Sequence, residues 1–279
     1  MSDRAGVLDL LERVWGGPQD SRELAWWFDD APAGPGLLTT ETADGRVVGL
    51  ASMSFLRVRA ARGETTAAMP LQVATDPDHR GRGIFARLER ANEDTAAAQG
   101  HPLGLTFPND ASRPIFLERL GWREHWRGRI WVRPPSAGPR RAAVELAEIP
   151  AEVDALAPQA HGQVVDAAFL RWRYLRSPRR YRVLAASEGG RLRGLLAVRP
   201  ARGRVAVVCH ALGEVGGLLR AAATLRPTIA LVPRAQRRSF ALAGFVPTPK
   251  VVRVLGKELL PEGDLGGRWE FQLGDFDVF

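Results

Sequence analysis

The chain is poor in several things that would narrow its class. It has one cysteine, Cys209, in 279 residues. An internal disulfide is therefore excluded, and a reduced, cytoplasmic setting is the expectation. No run of about 18 apolar residues is present, so no membrane-spanning helix is expected. The first residues, Met1 to Gly6, lack the basic-then-apolar order of a signal peptide. No histidines and cysteines fall at metal-ligand spacing, so no metal site is expected. Lysine occurs twice, as Lys250 and Lys257, so almost all of the 39 basic residues are arginine.

What is present is a net charge of +8 and 45% apolar residues. The apolar fraction is enough for ordinary cores. The arginines are spread along the whole chain, which reads as a solvated surface rather than a nucleic-acid patch. The length suggests two domains. The clearest linker is the Pro- and Gly-rich stretch from Arg133 to Arg141. The expected division is residues 1–133, a linker at 134–141, and residues 142–279.

Helical spacing of Val7, Leu8, Leu11, Val14 and Trp15 predicts a first helix, and Ser21 is placed to cap a second through Phe28. Asp44-Gly45 reads as a hairpin turn between a strand at 37–42 and a longer one at 46–58. A third strand is expected over 64–75, a short one over 103–107, a helix over 111–120 ended by Gly121, and a strand over 122–132.

Chemistry concentrates between Leu71 and Gln99. A strand ending at Thr75 meets a turn at Asp76-Pro77. The loop Arg80-Gly81-Arg82-Gly83 follows, and a helical pattern begins at Ile84. A glycine-rich turn entering a helix N-terminus presents unpaired N–H groups and the positive end of the helix dipole to an anion. The two glycines let the backbone approach a ligand, and the two arginines add charge-assisted bonds. The loop reads as a cradle for pyrophosphate.

The second half echoes the first. Leu24-Ala-Trp26-Trp-Phe28 is matched by Leu170-Arg-Trp172-Arg-Tyr174, Arg46-Val-Val-Gly49-Leu by Arg191-Leu-Arg-Gly194-Leu, and Leu120-Gly121-Trp by Ala243-Gly244-Phe. Order and spacing agree, which indicates a two-copy repeat. Where the cradle should recur, Cys209 to Gly217 carries glycines but no arginine, and Glu214 would repel a phosphate.

These residues resemble the GCN5-related N-acetyltransferase (GNAT) family. Arg80-Gly81-Arg82-Gly83-Ile84-Phe85 fits its acyl-CoA signature except at Phe85, where a small residue is usual. Asn109 after the next strand and Leu120-Gly121-Trp122 fit its second signature. The tyrosine that often follows that asparagine by seven residues is replaced by Phe116. The whole chain is similar to tandem bacterial members. The resemblance implies an α/β (α+β) tandem acyl-CoA N-acyltransferase fold, with a mixed central sheet flanked by helices in each half and a degenerate second half.

It also implies acetyl-CoA as cosubstrate and a small-molecule or protein amine as acceptor. The pantetheine arm would lie along Val73, Ala74 and Thr75, in a gap between two splayed strands. The pyrophosphate would sit over Arg80, Gly81, Arg82, Gly83, Ile84 and Phe85, with Asn109 and Phe116 lining the site. Catalytic roles would fall to Asn109 and Ser112, with the C-terminal carboxylate of Phe279 as a candidate base. Asn109 and Ser112 also read as helix caps. Glu64 reads as an exposed turn carboxylate, His79 as a loop residue and Asp76 as a turn former. Loss of the usual acid keeps a catalytically silent acyl-CoA-binding regulatory module as the alternative.

Overall fold

A computed structural model describes residues 3–136, 143–157, 160–199, 205–222 and 226–276. Contacts divide the chain into two compact units, residues 1–126 with 254–267 and residues 127–253 with 268–279. Residues 137–141 of the expected linker lie outside the described residues. Among the described residues no helix is long and apolar enough to cross a membrane.

The first unit runs α1 (Arg4–Trp15), α2 (Ser21–Phe28), β1 (Leu37–Ala43), β2 (Arg46–Ala60), β3 (Gly63–Thr75), α3 (Ile84–Ala98), β4 (Leu103–Thr106) and α4 (Arg113–Arg119). Strand β5 (Arg123–Arg133) leads out of it. The cap of α2 is Asp20, whose carboxylate accepts the Arg22 N–H at 2.9 Å, and not Ser21 as the sequence suggested. The β1–β2 turn has positive φ at both Asp44 (49°) and Gly45 (73°), the mirror-image turn that suits the right-handed twist of a hairpin.

The second unit contains β6 (Val144–Glu145), β7 (Gly162–Gln163), α5 (Ala167–Leu170), β8 (Arg182–Glu188), β9 (Arg191–Arg199) and β10 (Ala206–Gly213). It continues through α6 (Gly216–Ala221), β11 (Thr228–Leu231), α7 (Arg237–Leu242) and β12 (Val246–Glu258), which returns to the first unit. The element order from β8 to β12 repeats that from β1 to β5. The pairings repeat as well: β1–β2 and β2–β3 antiparallel with β3–β4 parallel, then β8–β9 and β9–β10 antiparallel with β10–β11 parallel. The tandem α/β fold expected from the resemblance is what the chain adopts.

Each copy exchanges its fifth strand. Leu255–Glu258 of β12 pairs with β4 in the first unit, and Ile130–Arg133 of β5 pairs with β11 in the second. The linear division at 134–141 has no place for this return. Lys257 fixes the incoming strand. Its ammonium meets the Glu93 carboxylate at 2.5 Å and the Leu120 carbonyl at 2.8 Å, while the Trp122 indole donates to Glu93 at 2.6 Å.

Helix α3 packs Ile84, Leu88 and Ala96 against the sheet. Gly49 allows its N-terminus to close on β2, since a Cβ there would lie 2.3 Å from Ile84 Cγ2. Asn92, buried on the same face, donates to the Ala51 carbonyl at 3.1 Å and accepts from Thr39. Trp26, Trp27, Trp122, Trp172 and Tyr174 are all buried in the core.

Candidate active site

Strand β3 delivers the chain to the glycine loop, and it does so irregularly. Its parallel ladder with β4 consists of Ala67 with Leu103 and Ala68 with Gly104. Pro70 follows, two residues further along. A proline has no N–H to donate, so it suits a point where a ladder ends. Beyond it, Leu71–Val73 holds a bulge: Leu50 faces Ala74 and Ser52 faces Leu71, so that Gln72 and Val73 together oppose Ala51. Gln72 is the bulged residue, in left-handed conformation with φ 48°. Ala74 and Thr75 return to register with Leu50 and Gly49 of β2, beyond the end of the β3–β4 ladder.

The turn after Thr75 is fastened from two sides. Asp76 Oδ1 accepts the Asp78 N–H at 3.1 Å, and Oδ2 accepts Arg13 Nε at 3.1 Å. These bonds, the backbone one first, hold its carboxyl below the usual range. Arg13 also donates to the Val47 carbonyl at 2.7 Å, tying α1 to the same turn. A short 3-10 turn, Pro77–His79, then leads into the loop.

Gly81 and Gly83 have φ of 76° and 72°, and a Cβ at either would meet no backbone. The glycines are needed here for the left-handed backbone rather than for space. Gly83 is the N-cap of α3, and no side chain caps that helix. The first N–H groups of a 15-residue helix are thus left open to a ligand. Arg80 Nε donates to the Thr75 carbonyl at 3.4 Å, and Arg82 Nη2 to the Asp78 carbonyl at 3.2 Å. Among the described residues neither guanidinium has a carboxylate partner. Arg87, one turn into α3, donates to the Arg82 carbonyl at 2.6 Å. Three guanidinium groups and one helix terminus converge on a loop that carries no acid of its own.

The corresponding loop of the second copy is filled by its own chain. Gly213 has φ 64°, but its carbonyl accepts from Gln236 at 2.7 Å, and a Cβ on it would lie 2.3 Å from the Arg193 carbonyl. Glu214 is paired with Arg193 at 2.6 Å. Its helix, α6, spans only Gly216–Ala221.

Residues 1–124 match the family described as acetyltransferase (GNAT) domain. Over these residues the chain is similar to a GNAT domain. No curated protein matches the chain in sequence. Among solved structures, a probable N-acyltransferase from Enterococcus faecalis V583 has a TM-score of 0.68 at 12% identity, over 93% of this chain and 71% of that one. A GCN5-related N-acetyltransferase from Anabaena variabilis has a TM-score of 0.69 at 11% identity, over 93% and 71%. A tandem GNAT protein from the clavulanic acid biosynthesis pathway has a TM-score of 0.59 at 17% identity, over 94% of this chain and 97% of that one. At these identities the likeness is one of fold, and the fold is tandem GNAT.

Within residues 1–124, the Asn109 side chain accepts the N–H groups of Ala111 and Ser112 at 3.0 and 2.9 Å. It caps the turn into α4. Ser112 holds the N-cap position without a capping bond of its own; its hydroxyl lies 3.5 Å from the Asn109 carbonyl and is largely buried. Phe116 is 2% exposed, its ring edge-on to Phe85 at 5.4 Å and to Trp122 at 5.1 Å. Phe85 thus turns into the core between α3 and α4 and does not crowd the loop. Phe279 lies outside the described residues.

The other candidates sit elsewhere. Glu64 pairs with Arg59 at 2.9 Å and Arg57 at 3.2 Å near the start of β3, about 23 Å from Leu71 at strand rise. His79 lies beside Asp76, Nδ1 to Oδ1 3.7 Å. His101 is half-buried. It is stacked on Phe55 and bonded to Thr66 at 2.7 Å. Cys209 is buried in the second unit, with its thiol pushed up to about 11 by desolvation, which makes it inert. Sequence reading missed the bulge at Gln72 and the roles of Arg13 and Arg87. Pro70 in mid-strand was the one signal that pointed to the first.

Proposed function

We propose that the chain transfers an acetyl group from acetyl-CoA to an amine, by direct attack with both substrates bound, in a cytoplasmic setting. The match of residues 1–124 to the GNAT family supports acyl transfer. The observation that carries the reading furthest is the uncapped α3 N-terminus behind a loop holding Arg80 and Arg82 without acid partners. Such a terminus suits a diphosphate. The pantetheine arm would add to the free edge of Val73 to Thr75, as a peptide adds to a sheet edge.

Acetyl transfer needs a neutral amine, a donor for the charge growing on the acyl oxygen, and a proton for the departing thiolate. In this reading the nitrogen lone pair forms the new C–N bond as the C–S bond breaks, the thiolate gains a proton and the nitrogen loses one. A backbone N–H of the β3 bulge serves the oxygen. Asn109 and Ser112, at the mouth of α4, serve the sulfur side, Ser112 through its hydroxyl or a water. The acceptor class is a small-molecule or protein amine.

The second reading, a catalytically silent acyl-CoA-binding module, is favoured by Phe116, a buried ring where a hydroxyl is usual. Thiol release from acetyl-CoA against a broad panel of amines separates the two. Release that depends on an amine supports transfer. Tight CoA binding without release, even at a pH where the amines are neutral, supports the silent module.

A further inference from the structure

Two buried hydroxyls meet the bulge of β3 from opposite sides. Ser52, on β2, is fully buried and donates to the Leu71 carbonyl. Thr106, the last residue of β4, is 2% exposed and donates to the Pro70 carbonyl at 3.3 Å. The two carbonyls belong to successive peptide units. They lie where β3 has just left the β4 ladder and is about to slip register against β2. The Pro70 carbonyl faces β4 beyond the end of that ladder, where a buried carbonyl needs a donor; Thr106 supplies it, while Ser52 donates to the Leu71 carbonyl of its own register partner on β3.

The consequence follows from the planar trans peptide, in which C=O and N–H point in opposite directions. Ser52 holds the Leu71 carbonyl toward β2. The N–H of the same peptide, at Gln72, is therefore turned away from β2, toward the side where the β4 ladder has ended. The left-handed φ of Gln72 (48°) is a conformation a non-glycine residue keeps only when its surroundings hold it there. We propose that Ser52 and Thr106 are positioning residues that clamp the two peptides around Leu71 and aim the Gln72 N–H at the acyl carbonyl. The proposal rests on the acyl-transfer reading given above, its bulge donor included, and adds to it the two side chains that fix that donor.

The prediction differs from that of a merely structural role. Removing either hydroxyl leaves the loop, the α3 terminus and the arginines as they are, so CoA binding is retained while the rate falls. The variants are Ser52→Ala, Thr106→Val, which is isosteric, and Thr106→Ser, which keeps the hydroxyl. For the full chain, the readouts are CoA affinity by calorimetry, kcat and KM for acetyl-CoA, and the infrared carbonyl band of bound acetyl-CoA labelled with carbon-13 at the acyl carbon. Loss of one oxyanion donor typically lowers kcat about 100-fold or more. A misaimed donor should lower it by about 10- to 100-fold, with KM and CoA affinity within about twofold. Thr106→Ser should restore the wild-type rate to within about threefold.

In the wild type the labelled band is shifted and narrow. In Thr106→Val it broadens and moves toward its position in free acetyl-CoA, a readout that needs no acceptor. Unchanged kcat and an unchanged band in Thr106→Val overturn the proposal, and so does a matched loss of CoA affinity and rate in a folded variant. Failure of the wild type to bind CoA overturns the acyl-transfer reading itself and the proposal with it.

Discussion

Arg87 grips Glu41 through both carboxylate oxygens, each at 2.8 Å, while its other terminal nitrogen holds the Arg82 carbonyl at 2.6 Å. Strand β1 thus steadies the anion loop through one guanidinium. Arg87→Ala should weaken CoA binding about tenfold, as expected for losing a charge-assisted donor and the tie to the loop. Glu41→Gln, which loosens the arginine without removing it, should cost about two- to fivefold. Calorimetry on the two variants checks the order; equal, negligible effects would remove Arg87 from the site.

Gly83→Glu places a carboxylate at the helix terminus and a side chain at φ 72°. The left-handed conformation costs about 1–2 kcal/mol, a fall of a few degrees in Tm for a chain of this size. CoA affinity should fall more than about 100-fold. Retained affinity in a folded variant would refute the cradle.

Among the described residues Arg80 and Arg82 face no carboxylate, so their charge is available to the diphosphate. Arg80→Ala should weaken CoA by about tenfold and leave pantetheine, which lacks the diphosphate, unaffected. Parallel loss for both ligands would place Arg80 at the wrong end of the arm.

The Glu89 carboxylate is fully buried on α3, and among the described residues neither oxygen has a hydrogen-bond partner. Desolvation raises its pKa well above the usual range, the nearby Glu93 adds to this, and Lys257 opposes it. The folded state therefore holds a proton that the unfolded state releases above about pH 4.3. The stability of the protonated form is complete below that pH. It is lost by about 1.4 kcal/mol per unit as pH rises toward the raised value. Glu89→Gln should share the wild-type Tm near pH 4 and exceed it increasingly toward pH 8. A gap in Tm that does not change with pH would show that Glu89 is ionised in the fold.

The local code of this chain was largely legible. Apolar spacing, Asp44-Gly45, Gly100 and Gly121 placed the helices and strands of the first half to within a few residues, because each signal acts over one turn of chain. The glycine loop was legible for the same reason. The strand exchange was not: the pairing of Leu255 to Glu258 with Leu103 to Thr106 is decided by contacts far apart in sequence. The bulge at Gln72 left only Pro70 as a trace. Ser52 and Thr106 look like any strand hydroxyls until the carbonyls they meet are known. The resemblance put Phe116 among the site residues, and the helix turns its ring into the core against Trp122.

The central claim is that the loop from Gly81 and the first turn of α3 hold the diphosphate of an acyl-CoA. Amide hydrogen exchange on the full chain, with and without saturating CoA, tests it residue by residue. Slowed exchange is predicted at Gly81 to Ala86 and along Val73 to Thr75, with no change at Gly213 to Leu218 in the second copy. Unaltered exchange across Gly81 to Ala86 in the presence of CoA would contradict the account.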